Sequence, residues 1–178
     1  MVSKETAMNE QELEKKLSAA YDKMMERVNQ LLDKAEHEAL PALQKNIDKA
    51  KNQAIELKEV TSEEAEKLAK YLKRDLNDAA QYLSQSGQEL STWLHFDLEL
   101  VEDRLLDIFS KVADKTSTEL AQLAEQAKQA TEYHTGEITS IGTLACKKCD
   151  NLMHFKKTGR IPPCPKCHKT VFIRTRRK

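Results

Sequence analysis

The sequence is poor in the residues that build catalytic loops and membrane spans. It contains only four glycines, three of them at position 136 or beyond, and this excludes a glycine-rich phosphate-binding loop. No apolar run approaches the length of a membrane span, and the chain does not open with the basic-then-apolar order of a signal peptide. We therefore expect a cytoplasmic protein that neither enters a membrane nor binds a small-molecule substrate.

Aromatic residues are also scarce, at 5% of the chain, whereas charged residues make up 33%. This composition is typical of long helices with narrow apolar seams rather than of a large globular core. The formal net charge of zero conceals a division of charge. Residues 146–178 carry eleven Lys and Arg and one acid, whereas the rest of the chain carries 18 basic and 28 acidic residues. Such a shift predicts a module boundary near residue 140.

Apolar residues recur at helical spacing through most of the chain. The first seam comprises Leu13, Leu17, Ala20, Met24, Val28, Leu31 and Ala35. The next two comprise Leu43, Ile47, Ala50, Ala54 and Leu57, and then Ala65, Ala69, Leu72, Leu76, Ala79 and Leu83. A last seam runs from Leu90 to Ala130. Helices with one seam each must pair, so the pattern predicts an antiparallel coiled coil, or a homodimer formed through the helices.

Local signals divide this helical region. Pro41 predicts a kink, because proline removes one helical hydrogen bond and clashes with the preceding turn. Thr61 and Glu64 have the spacing of a capping box, which predicts a helix start near residue 60, and a further break is indicated near Gly87. The predicted fold is mainly α: long antiparallel coiled-coil helices at 9–134 follow a disordered segment at 1–8. A small β zinc ribbon with a basic tail follows at 135–178.

The ribbon is predicted from the only four cysteines in the chain. They form two C-x-x-C pairs, Cys146 with Cys149 and Cys164 with Cys167, separated by fourteen residues. Two such turns supply four thiolates to one tetrahedral ion, so we expect one zinc per chain in a closed, structural site. Iron with the same four ligands is an alternative, whereas a thioredoxin-like redox centre lacks its βαβ context. Asp150 and His168 follow the pairs where zinc knuckles often carry glycine, and both residue types tolerate a left-handed backbone.

Several further motifs resemble one protein family. They are Tyr133-His-Thr-Gly136-Glu137, Gly142-Thr-Leu144, the two cysteine pairs, Phe172-x-Arg174, Lys73-Arg74-Asp75-Leu76 and Asp114-Lys115-Thr116. Together they resemble the bacterial YbeL-like zinc-ribbon proteins from about residue 10 onward. The resemblance implies a helical region followed by a zinc ribbon, and it implies no activity.

Basic residues crowd the predicted ribbon and its tail. The candidates for nucleic-acid contact are Lys147, Lys148, Lys156, Lys157, Arg160, Arg174, Arg176 and Arg177. Such residues beside Phe155 and Phe172 can neutralise phosphates and stack on bases. We therefore expect a non-enzymatic adaptor that binds an anionic partner, namely nucleic acid or nucleoprotein. Two alternatives remain open: a structural coiled-coil protein whose ribbon binds protein or a second copy, and docking of the basic ribbon on the acidic helices.

Overall fold

A computed structural model of the chain describes residues 2–34, 42–86 and 132–175. Its helices are α1 (Val2–Lys34), α2 (Ala42–Glu56) and α3 (Ser62–Ser86). Its strands are β1 (Glu132–His134), β2 (Ile138–Thr139), β3 (Gly142–Cys146), β4 (Leu152–Phe155), β5 (Gly159–Arg160) and β6 (Val171–Arg174). The predicted kink at Pro41, the break near Gly87 and the last helical seam lie outside the described residues. Within the described ranges, no helix is both long and apolar enough to cross a bilayer.

The first helix is longer than the sequence predicted. It begins at Val2 and so includes residues 2–8, for which the sequence predicts disorder. This stretch contains no proline or glycine, and Ala7 and Met8 are good helix formers, so the helix continues through it. The sheet likewise begins at Glu132, just before the boundary predicted between residues 134 and 135.

Each helix buries a broader face than one narrow seam. On α1 the predicted Met24 and Val28 are fully buried, but so are their neighbours Tyr21 and Met25. On α3 the predicted Leu72 and Leu76 are buried, and so are Leu68, Asp75 and Asp78. A face this wide contacts two neighbours at once.

The prediction of long antiparallel coiled-coil helices is therefore wrong. The described helices α1, α2 and α3 all contact one another, α1 also contacts the short strands β2 and β5, and α3 also contacts β2. The extra buried carboxylates of α3 explain the difference, because they accept hydrogen bonds from Tyr133 and Ser140 and so form part of the face on which the C-terminal ribbon packs. The predicted zinc ribbon follows as a small antiparallel sheet.

The connection between α2 and α3 is built from two local capping motifs. The Glu59 amide donates to the Ala54 carbonyl over 3.0 Å, and Lys58 adopts a left-handed φ of 56°, which together end α2. The Thr61 amide then donates to the Glu64 carboxylate over 2.8 Å, and the Glu64 amide donates to the Thr61 hydroxyl over 3.2 Å. The capping box predicted at Thr61 is confirmed.

The ribbon contains two antiparallel sheets. The larger sheet has the strand order β1-β6-β3-β4, and β2 pairs with β5 in a separate two-stranded sheet. Side chains on one face of the larger sheet meet two residues from outside it in one buried cluster. Its members are Tyr133, Leu144, Cys146, Met153, Ile161, Cys164 and Phe172. Two cysteines thus belong to the ribbon's own core.

Candidate metal centre

Two tight turns present the cysteines to one another. The first turn runs from Cys146, the last residue of β3, and closes where the Asp150 amide donates to the Cys146 carbonyl over 2.9 Å. The second repeats this arrangement: the His168 amide donates to the Cys164 carbonyl over 2.8 Å. Asp150 and His168 have φ values of 55° and 56°, which is the left-handed backbone that both residue types tolerate.

The four Sγ atoms fit a single tetrahedral ion. All of them lie within 4.8 Å of one another, and the Cys146–Cys167 and Cys149–Cys164 separations are 3.5 and 3.6 Å. Sulfurs at about 2.3 Å from a tetrahedral zinc are roughly 3.8 Å apart, whereas disulfide sulfurs are about 2.05 Å apart. The predicted ligand set therefore comes together as a metal cluster and not as two disulfides.

The chemistry of the donors also favours a cation. Burial would raise the pKa of the Cys164 thiol, but the backbone amides of Cys167 and Lys166 lower it to about 7. The Lys169 amide lowers the pKa of Cys167, yet burial and the adjoining sulfurs outweigh it and raise that pKa to about 12. Cys164 thus forms a thiolate easily, whereas Cys167 does so only with a positive charge beside it. A divalent metal supplies that charge.

The cluster is closed to substrates. Cys146 and Cys164 are fully buried, and Cys149 and Cys167 are half-buried against the core cluster. Since the protein supplies all four donors, a bound zinc has no position left for water or substrate. When bound, zinc supplies structural cross-links between the turn after β3 and the turn before β6.

The left-handed backbone at His168 leads to a testable prediction. A side chain in this conformation costs about 1–2 kcal/mol relative to glycine, partly offset by the larger entropy that glycine loses on folding. We expect His168→Gly to raise ribbon stability by a few tenths of a kcal/mol, on the order of the difference between these terms. We expect His168→Val to lower it by about 1–2 kcal/mol. Urea unfolding of the zinc-loaded protein would measure both, and equal stability of the two variants would contradict the assignment.

The predicted basic residues form two separate groups. In the antiparallel pair β3–β4, Ala145 lies opposite Leu152 near the cysteines, and Gly142 lies opposite Phe155 at the other end. Lys156 and Lys157, which lie four and five residues beyond Leu152, are therefore roughly 13–17 Å along the chain from the cysteine end. The exposed lysines in or beside the two turns make up what we call the knuckle lysines: Lys147, Lys148, Lys166 and Lys169.

The predicted arginines are placed differently. Arg160 is half-buried, and its Nε donates to the Gly136 carbonyl over 3.3 Å. Arg174 is only 5% exposed and donates to Tyr133, to the Ile141 carbonyl and to Thr139. This burial is incompatible with a contact between Arg174 and nucleic acid, because each of its three guanidinium nitrogens donates a hydrogen bond within the protein. Arg176 and Arg177 lie outside the described residues.

Arg174 belongs instead to a buried polar network between α3 and the ribbon. Asp75 of α3 is fully buried and accepts hydrogen bonds from the Tyr21 hydroxyl at 2.8 Å and the Ser140 amide at 2.7 Å. The guanidinium of Arg174 lies 3.6 Å from its other carboxylate oxygen, where Arg74 also donates over 3.2 Å. Burial would raise the pKa of Asp75, but the two arginines and the donated hydrogen bonds hold that pKa below its usual value.

The aromatic ring of Tyr133 completes this network. The guanidinium carbon of Arg74 lies 3.8 Å from the ring centroid and that of Arg174 lies 5.0 Å from it. The Tyr133 hydroxyl donates to Asp78 of α3, and Arg74 also reaches Glu137 and the Ile138 carbonyl. The network was not predicted as such. Its only signal in the sequence was that Arg74, Asp75, Tyr133, Glu137 and Arg174 all lie in the motifs that carried the family resemblance.

The fold and the four-cysteine cluster together define a zinc-ribbon protein. The family model described as a zinc-ribbon containing domain matches residues 30–176, and the chain belongs to that family. It is 27% identical over 101 residues to the uncharacterised protein YbeL of Escherichia coli strain K12, and equally to its counterparts in strains O6:H1 and O157:H7. These matches cover 57% of this chain and 62% of each relative, which is less than two thirds of the relatives' length. No solved structure matches the chain.

These matches confirm the resemblance inferred from the motifs. They also favour zinc over iron for the four thiolates, since the family is defined by a zinc ribbon. The cluster of Cys146, Cys149, Cys164 and Cys167 is compatible with one zinc ion per chain.

Proposed function

We propose that the protein is a non-enzymatic, zinc-binding adaptor whose ribbon contacts the phosphates of a nucleic acid or nucleoprotein. One observation carries this proposal: four exposed lysines surround a single closed metal cluster. The cross-linked turns hold these cations on a rigid scaffold, and phosphate neutralisation is the main source of sequence-independent affinity for nucleic acid. Cytoplasmic localisation stays a prediction from the sequence.

The closed metal cluster supports a binding role over an enzymatic one. Catalytic zinc keeps an open position for water or substrate, and the four cysteines leave none. The carboxylates of Asp75 and Asp78 also favour a structural role over a catalytic one, because both are buried and accept hydrogen bonds from protein donors.

The available side chains favour contacts with phosphates over recognition of bases. Lysine presents a compact charge, whereas base recognition in the grooves most often uses the bidentate fork of arginine. Arg160 and Arg174 direct that fork into the protein. Phe172 is fully buried, so the predicted stacking on bases is not available to this residue. We therefore expect little sequence preference.

The alternative of a protein partner or a second copy rests on a different surface. Leu152 and Ile173 are 44% and 38% exposed, and both lie opposite Ala145 in the sheet register. They thus form a short apolar row across three strands. Exposed apolar rows of this kind occur at protein interfaces, so this surface is the natural site for such a partner.

The salt dependence of binding tests the phosphate proposal. We expect the triple variant Lys148→Gln, Lys166→Gln and Lys169→Gln to flatten the slope of log affinity against log salt by up to about 2–3, because each duplex phosphate contact contributes about 0.9. Fluorescence anisotropy with a short duplex DNA and a single-stranded RNA of random sequence would measure it. The matched control removes three exposed helical lysines, Lys15, Lys49 and Lys70, and should leave the slope unchanged.

Two outcomes would decide between the candidates. No detectable binding of the zinc-loaded chain to either probe at about 50 mM salt would exclude the phosphate proposal, since electrostatic affinity is strong at that concentration. Self-association abolished by Leu152→Ser and Ile173→Ser, measured by sedimentation, would then identify the apolar row as the functional surface.

A further inference from the structure

We propose that zinc binding closes a latch between the ribbon and helix α3, so that the metal controls how firmly the helices are docked. The latch consists of Asp75 and Asp78 on α3 and Tyr133 and Arg174 on the ribbon. Every member is at most 5% exposed, and each ribbon member bonds to at least one α3 carboxylate.

Across the sheet, a single residue separates a latch residue from a metal ligand. Phe172 of β6 lies directly opposite Cys146 on β3, and the same Phe172 lies directly opposite Tyr133 on β1. All three residues belong to the same buried cluster, together with Cys164. Three adjacent strands therefore carry, side by side, the metal ligand Cys146, the core residue Phe172 and the latch residue Tyr133.

Arg174 is connected to the metal site along the same strand. It follows Phe172 by two residues and so points to the same face of β6. Its guanidinium donates to the Tyr133 hydroxyl over 3.0 Å and approaches Asp75 to 3.6 Å. Its position depends on β6 staying paired with β1 and β3, because a strand that leaves the sheet carries Arg174 away from α3.

Zinc stabilises that pairing. The metal cross-links the turn after β3 to the turn before β6. Without metal, the cluster holds either mutually repelling thiolates or protonated thiols in the ribbon core. Loss of zinc should therefore loosen β6, withdraw Tyr133 and Arg174, and return the Asp75 carboxylate to water. Couplings between two sites in one protein are commonly 5–150-fold in affinity, or about 1–3 kcal/mol.

Hydrogen exchange on the full chain tests the first half of the proposal. With zinc bound, the amides of α3 from Leu72 to Asp78 should be protected. On zinc removal by a chelator, their exchange should accelerate by about 5–150-fold, whereas the α2 amides from Ile47 to Ala54 should change much less. Unchanged exchange on α3 after complete zinc removal would overturn the latch.

Reciprocity supplies an independent test on variants. Since coupling is mutual, weakening the latch must weaken zinc binding, by at most the factor through which zinc strengthens the latch. Tyr133→Phe removes only the hydroxyl that bonds Asp78 and Arg174, and it keeps the ring in the ribbon core. We expect its zinc affinity, measured by competition with a chelating dye, to fall by about 5–150-fold.

The matched control breaks an ion pair of comparable geometry that does not involve the ribbon. Arg27 of α1 donates twice to Glu59, over 2.8 and 2.9 Å, within the helical part of the chain. We expect Glu59→Gln to lower helix stability and to leave zinc affinity within about twofold, a change well below typical coupling.

If Tyr133→Phe fails to fold, Thr139→Val, which removes one acceptor of Arg174, takes its place. Zinc affinity unchanged in a folded latch variant, or lowered equally in Glu59→Gln, would overturn the proposal.

Discussion

Replacement of Cys164 with serine is expected to abolish stoichiometric zinc binding and to unfold the ribbon. Cys164 is fully buried in the ribbon core, and a serine hydroxyl cannot replace a thiolate donor to zinc. Apparent zinc-binding energies of about 10–16 kcal/mol contribute directly to folding in small zinc modules. Most of the far-UV helical signal should persist, because α1, α2 and α3 contact one another independently of the ribbon.

Elemental analysis and circular dichroism of the purified variant would measure both effects. The control is Cys167→His, since this cysteine is only half-buried and three cysteines with one histidine are an ordinary zinc ligand set. It should retain one zinc per chain with lower affinity. Absence of stoichiometric metal from the unmodified protein, or disulfides in protein kept reduced, would contradict the assignment of the cluster.

Replacement of Asp75 with alanine is expected to destabilise the protein by about 3–5 kcal/mol, the usual cost of removing one partner from a buried ion pair. The variant leaves Arg74 and Arg174 buried without their shared carboxylate, and it leaves Tyr21 without the acceptor of its hydroxyl. Since domains are stable by only about 5–15 kcal/mol, this loss is a large fraction of the total. Denaturant unfolding in zinc-saturated buffer would measure it.

The pH dependence of this effect has a definite sign. The folded-state pKa of Asp75 is lowered, so its stabilising contribution is complete above the unfolded pKa of about 3.9 and is lost as pH falls through the folded value. The difference in unfolding free energy between native protein and Asp75→Ala should thus be constant near neutral pH and shrink in acid. Asp48→Ala, which removes a half-exposed ion pair with Lys51, should cost less than about 1 kcal/mol. Equal losses for the two variants would contradict the structural role of Asp75.

The metal site was predictable because its chemistry is local. Each C-x-x-C turn is specified by residues adjacent in sequence, and only the cysteines can supply thiolate ligands in this chain. The capping box at Thr61 and Glu64 was predictable for the same reason, since both hydrogen bonds span three residues. The buried seam positions of α2 also follow from spacing alone, as Ile47, Ala50 and Ala54 show.

The network between α3 and the ribbon could not be predicted from spacing. Asp75 stands among charged residues on a helix, where an exposed ion pair is the usual outcome. Its burial depends on the Ser140 amide, 65 residues away, and on Arg174, which from sequence reads as one of several cations in a basic tail. Helical periodicity is derived from apolar residues alone, so it does not detect a buried face built from aspartates and arginines. The coiled-coil prediction was wrong for this reason.

The distance along the chain between Asp75 and Arg174 has a consequence for synthesis on the ribosome. At about 5–20 residues per second, roughly a hundred further residues take some 5–20 s to add after Asp75 emerges. During that interval α3 can already fold against α1 and α2, but Arg174, which pairs with Asp75, has not yet been synthesised. The nascent helices therefore present an acidic, partly apolar face to solvent, and the last of the described strands, β6, carries the arginine that helps to cover it.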